Sequence, residues 1–182
     1  LEARGWTEPD FDDSGWKPAK GRSTKYSPFW NWAARDIPLL EEGEATAQAI
    51  VNTGAVPEKP RSAAKLHHQI LDEEAGLQVN SAYVDSPDAY TVEATPAGTA
   101  SVVTFDFAEM KAGYLQLEVT GRAGTIIDAV YAEELWEGKA LINLTNNRPI
   151  DRFVLNEGRN VLETAFAWRA FRYVQFRVRN PR

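Results

Sequence analysis

The feature that most constrains this chain is a two-residue hydrophobic period that sets in near Tyr90 and persists almost to the end. Its clearest instance is Tyr114-Leu-Gln-Leu-Glu-Val-Thr120. Leu115, Leu117 and Val119 point one way, and Gln116, Glu118 and Thr120 the other. Strand side chains alternate between faces, so such a segment buries one side and wets the other. Ser101–Phe107 repeats the pattern, with Val103 and Phe105 set against Val102, Thr104 and Asp106. Thr125–Ala132, Arg152–Leu155, Val161–Thr164 and Arg172–Val178 are further predicted strands. Gly121-Arg-Ala-Gly124 reads as the turn of a hairpin joining 114–120 to 125–132. Asn156-Glu-Gly158 reads as the turn of a second hairpin joining 152–155 to 161–164. Many short strands with turns between them, and hardly a helix, predict an all-β fold: an antiparallel β-sandwich of jelly-roll or concanavalin-like type.

The earlier residues read differently. Trp6-Thr-Glu-Pro-Asp-Phe11-Asp-Asp-Ser-Gly-Trp16 is rich in aromatics and turn formers. Phe11 and Trp16 are expected to pin that turn against a sheet. Asp12 and Asp13 raise the question of Ca²⁺, but they lack the ligand spacing of a calcium loop, so the turn reading is preferred and no cofactor or metal is expected. Pro38 prevents a continuous helix through Trp30–Glu42, which reads as an extended crossover. Residues 43–65 are polar and rich in Ala, Pro and Glu, as in a connector. Leu66–Gly76 fits either a short helix ending at Gly76 or a loop; His67 and His68, read as strand neighbours, diverge and make poor co-ligands. The predicted division is 1–42, the tail of a preceding module and a bridge; 43–95, a connector with the first strands; and 96–182, the main sandwich.

Composition narrows the partners. A net charge of −6 and a pI near 5.0 argue against nucleic acid, which demands a basic surface. The basic residues that cluster are Arg169, Arg172, Arg177, Arg179 and Arg182, and they need not share a face. No apolar run reaches the ~18 residues of a membrane span. The chain has no cysteine, which removes thiolate chemistry and disulfides and leaves the compartment open, with a secreted or periplasmic setting favoured over a cytoplasmic one. It opens at Leu1-Glu-Ala-Arg without an initiator Met, as a piece of something larger would.

Several short phrases, in order, carry a resemblance: Gly113-Tyr-Leu115, Gly121-x-x-Gly-Thr125, Tyr131-Ala-Glu133, Asp151-Arg-Phe153, and Phe171-Arg-Tyr173 before Val-Gln-Phe176. Together they resemble the concanavalin-like sandwich module of bacterial α-L-rhamnosidases, family 78 of the glycoside hydrolases. Phe11-Asp-Asp-Ser-x-Trp16 is similar to the tail of the galactose-binding-like jelly roll that precedes this module. Ala34-Arg-Asp-Ile-Pro38, followed by Leu39, Leu40 and Glu41, resembles the bridge between the two. The resemblance implies an inverting hydrolase whose two catalytic carboxylates sit in an (α/α)6 barrel. That barrel is expected to begin where this chain ends, at Arg182, so no catalytic residue is assigned here. The implied role is an accessory, non-catalytic one beside the barrel as partner, with carbohydrate-binding as the alternative.

Four residues are candidates for sugar contact. Trp136 and Trp168 border strands and could stack on a sugar ring, although burial against the opposite sheet or the barrel is the preferred reading for both. Glu133, beside Glu134, diverges from its neighbour too far for the pair to flank one glycosidic bond, and is read as structural or as a contact to the barrel. Arg169 and Arg172 are expected to form ion pairs with Asp151 or Glu133. Asn143-Leu-Thr145 has the form of a glycosylation sequon.

Overall fold

The computed structural model describes residues 5, 6, 8–21, 34, 36–59, 66–85, 87, 89–142, 149–164 and 166–180. Trp30, Trp32, Arg182 and the sequon at 143–145 lie outside them. Two compact units divide the chain, Leu1–Gly43 and Glu44–Arg182. In the first unit, the Asp12–Trp16 turn closes as its residues dictate. The Asp12 carboxylate accepts the Ser14 N–H at 3.0 Å, and the Trp16 N–H donates to the Asp13 carbonyl at 2.8 Å. The rings of Phe11 and Trp16 pack on each other, centroids 5.3 Å apart, and Trp16 is exposed.

The second unit is a layered β structure. Its main sheet has six strands: β1 (Ala49–Pro57), β2 (Gln78–Asp85), β3 (Thr99–Gly113), β5 (Ile126–Ala132), β8 (Ile150–Val154) and β10 (Arg169–Arg179). They are ordered β2-β1-β3-β10-β5-β8, and every neighbouring pair is antiparallel. β4 (Gln116–Gly121) and β9 (Gly158–Glu163) form a two-stranded sheet, and β6 (Leu135–Trp136) with β7 (Lys139–Ala140) a small hairpin. The all-β expectation holds. One helix interrupts it, α1 (Leu66–Glu74), which places His67 and His68 on a helix rather than a strand; it ends just before the turn at Ala75–Gly76.

Both predicted hairpins are corrected. β4 pairs with β9, while β5 and β8 pair with each other in the main sheet. The turns at 121–125 and 155–158 therefore carry the chain from one sheet to the other. They are stitched side by side: Gly124 N–H donates to the Leu155 carbonyl and Leu155 N–H to the Thr125 carbonyl, both at 2.9 Å. Alternation tells which side chains turn inward, but a strand in either layer of a sandwich shows the same alternation.

The inner face of the main sheet packs against β4 and β9. Ile50, Val103, Ile127, Ala129, Tyr131, Phe171, Val174 and Phe176 meet Leu115 and Leu155 there, with Leu117, Val119 and Leu162 closing over them. Tilted and edge-on ring pairs, such as Phe107–Phe171 at 5.2 Å and Phe105–Phe176 at 5.6 Å, fix the geometry of this core. The outer face receives α1 and the β6–β7 hairpin: Ile70 packs with Val130, Ala132, Ala140 and Ile150.

Candidate functional site

The arginines at the end of the sequence organise the outer face. On β10, Arg177 and Arg179 alternate with Phe176 and Val178, so both guanidiniums point under α1. Arg179 binds Glu73 with two parallel bonds, Nη1 to Oε1 at 2.9 Å and Nη2 to Oε2 at 2.7 Å, and Asp128 through Nε at 2.8 Å. Arg177 donates to the Ile70 carbonyl at 3.0 Å and to Glu73 at 3.3 Å, and pairs with Glu74. Arg152, directly across from Asp128 in the β5–β8 ladder, completes the set with Nη2–Oδ2 at 2.8 Å. Three carboxylates thus meet three guanidiniums. Burial favours the neutral form of Glu73, but the hydrogen bonds and charge of Arg179, the Lys59 N–H and the charge of Arg177 outweigh it and hold its carboxyl below the usual range. The same pairing raises Arg179 against its own burial.

Arg169 behaves as expected toward Asp151, binding it through Nη2 at 2.7 Å and Nε at 3.2 Å. Its guanidinium lies 5.7 Å from the centroid of the buried Tyr131 ring. Burial pushes the Tyr131 phenol up, reinforced by the charge of Asp151, so it stays protonated. Arg172 pairs with Asp106 rather than Glu133, Nε–Oδ1 and Nη2–Oδ2 both at 2.9 Å. The Asp106 carboxyl is held low by these bonds, against partial burial, and by the Ala108 N–H at 2.7 Å. Four of the five clustered arginines are thus committed to internal carboxylates.

Neither candidate tryptophan is buried against the opposite sheet. Trp136 is 69% exposed and Trp168 60% exposed, so neither is a core residue. They stand on different supports. Trp136 rides on the β6–β7 hairpin, whose turn has left-handed Glu137 (φ 50°) and Gly138 (φ 77°). Trp168 immediately precedes β10. Arg169, next to it, turns to Asp151. Glu133 is exposed, just beyond β5.

What the sequence reading missed lies between β3 and β10. Phe171 pairs with Lys111 and Tyr173 with Asp106, so Arg172 alone spans what Phe107, Ala108, Glu109 and Met110 cover on β3. Ala108 adopts φ 65° to make this bulge. Beyond it, Ala170 sits directly opposite Ala112, both exposed. Tyr114 and Met110 are exposed along the same side of β3, as is Trp168 along β10. The signal was present in the alternation of Met110, Ala112 and Tyr114, but a four-residue bulge hides the register. Among the described residues, no group of three or more His, Cys, Asp or Glu side chains is arranged to hold a metal ion.

These layers define an antiparallel β-sandwich module whose partly or fully buried carboxylates Glu73, Asp106, Asp128 and Asp151 are held by arginine. Residues 97–182 match the family described as the bacterial alpha-L-rhamnosidase concanavalin-like domain, so that segment of the chain is similar to such a domain. A crystal structure of a GH78 family rhamnosidase of Bacillus sp. GL1 is also similar: 23% identity and a TM-score of 0.48, over 57% of this chain. The present chain covers 11% of that one. No curated protein matches.

Proposed function

We propose that this chain is the non-catalytic β-sandwich portion of an α-L-rhamnosidase-like glycoside hydrolase, and that it supports an (α/α)6 catalytic barrel in the same polypeptide. That barrel would remove terminal α-L-rhamnose from glycans or glycosides with inversion. The observation that carries the reading is the family match over residues 97–182. The chemistry of the carboxylates supports it. Inverting hydrolysis requires an acid and a base roughly 6.5–9.5 Å apart with water between them. Asp106, Asp128, Asp151 and Glu73 are each neutralised by arginine instead. Glu133 and Glu134 are adjacent and exposed, just beyond β5.

The test is hydrolysis of p-nitrophenyl α-L-rhamnopyranoside. The 182-residue chain alone is expected to be inert, and a polypeptide joining it to its helical barrel to release nitrophenol. Turnover by the isolated chain, or a joined polypeptide that cleaves other glycosides and not this one, overturns the proposal.

A further inference from the structure

We propose that the outer face of the β3–β10 extension, beyond the bulge, is a stacking platform for an uncharged pyranose, best suited to a 6-deoxyhexose. The choice of L-rhamnose as its probe rests on the rhamnosidase reading; the platform itself is argued from the strands. Ala112 and Ala170 face each other across the ladder and form a floor without long side chains. Trp168 (60% exposed) and Tyr114 (56% exposed) stand at one end, one residue past each paired strand end. At the other end stand Met110, half-exposed, and the Arg172–Asp106 pair.

Each part matches a part of a sugar. Indole and phenol rings receive the C–H face of a pyranose, and alanine methyls let that ring approach the sheet. The Arg172 side chain is 40% exposed. Its bonds to Asp106 use Nε and Nη2, which leaves Nη1 to donate to a ring hydroxyl. Since Asp106 already neutralises that guanidinium, the pair favours a neutral polyol over an anion. Arg172 is also fixed from below, its guanidinium carbon 4.9 Å from the centre of the Tyr173 ring, so little of its freedom remains to be lost on binding. An apolar floor beside Met110 suits a methyl substituent better than a hydroxymethyl. The left-handed Ala108 turns Met110 and Ala112 into this arrangement, and its N–H holds the Asp106 carboxylate that pairs with Arg172.

The experiment is titration of the 182-residue chain with L-rhamnose and with L-mannose, its 6-hydroxy counterpart, followed by calorimetry and by tryptophan fluorescence. L-rhamnose is expected to bind in the millimolar range and L-mannose several-fold more weakly. Trp168→Ala should weaken binding roughly tenfold, and Ala170→Arg should abolish it by occupying the floor. Trp136→Ala, on the hairpin, should bind as the wild type does. Both platform positions are exposed, and unchanged near-ultraviolet circular dichroism would certify the folds. Absence of binding by the wild type overturns the platform, as does binding that survives Trp168→Ala and Ala170→Arg. If Ala170→Arg instead turns an oligomer into a monomer while no sugar binds, the patch is a protein interface and the proposal fails. A joined polypeptide that cleaves rhamnosides while the chain ignores L-rhamnose overturns the platform alone; sugar binding without cleavage overturns the rhamnosidase reading alone.

Discussion

Glu73 shows how single side chains hold this fold. It is fully buried and accepts bonds from Arg179, Arg177, Gln69 and the Lys59 N–H, so it joins α1, the strand β10 and the segment before α1. Replacing it by Gln leaves two buried guanidiniums short of charge, a loss of about 3–5 kcal/mol. The sign of its pH dependence follows from its lowered pKa. A depressed carboxyl stabilises the fold above its ordinary value of 4.5, and that contribution is lost as pH falls through the lower folded value. Urea unfolding of wild type and Glu73→Gln should thus differ most near neutrality and converge in acid; a gap independent of pH would contradict the assignment. Gly54 is constrained by shape instead. A Cβ there would lie 2.0 Å from the Gln78 carbonyl oxygen and 2.9 Å from Val79 Cα, both backbone atoms of the paired strand. Gly54→Ala should cost about 3 kcal/mol, the upper end of overpacking, read from the shift of the thermal transition.

At the scale of elements, the β6–β7 hairpin is secured by polar groups. Asn52, Thr104 and Gln175 form a row across β1, β3 and β10, all buried. Asn52 donates to the Gly138 carbonyl at 2.9 Å, and Gln175 to the Thr104 hydroxyl at 2.9 Å. Asn52 Oδ1 has no hydrogen-bond partner in this arrangement. Asn52→Leu should therefore loosen the hairpin while changing global stability by less than about 1 kcal/mol, since it removes an orphan acceptor together with the bond. Faster amide exchange at Lys139 and Ala140, with β10 unaffected, is the expected signature; unchanged exchange there would show that Leu135 alone secures the hairpin. These elements also show what could be read in advance. Strand-forming residues between turns located β3, β4, β5, β8, β9 and β10, although β5 and the second half of β10 are buried on both faces. Alternation could not assign β4 and β9 to their own sheet, because Leu117 and Leu162 look the same whichever layer they come from. Nor could it expose Trp136 and Trp168, since an indole beside a strand has the same local sequence buried or bare. The arginine–carboxylate partners were legible as types, and only Arg169–Asp151 as a pair; Arg172 met Asp106 because a bulge brought them level.

For the whole molecule, the family match begins at residue 97, but the packed unit begins at Glu44. The difference is physical. β1 pairs with β3 along its length, from Ala49–Asp106 to Pro57–Thr99, and Ile50 enters the main core. α1 brings Glu73 and Glu74 to Arg177 and Arg179, both of them buried. A polypeptide of residues 97–182 would keep the domain's strands and lose all of this. β3 would become a bare edge, inviting association with other chains. Arg177 would face the outer surface with no carboxylate from α1, and Arg179 would keep Asp128 alone. Water would solvate these guanidiniums, so the loss falls on packing: Ile70 no longer covers Val130, Ala132 and Ile150. Residues 44–182 should accordingly unfold in one cooperative thermal step with an intact near-ultraviolet spectrum. Residues 97–182 should aggregate, or retain strand signal without a cooperative transition. If the shorter polypeptide melts cooperatively at the same temperature as the longer one, then β1, β2 and α1 are an attachment to the sandwich, and the charged set beneath α1 holds the helix in place without holding the sheet together.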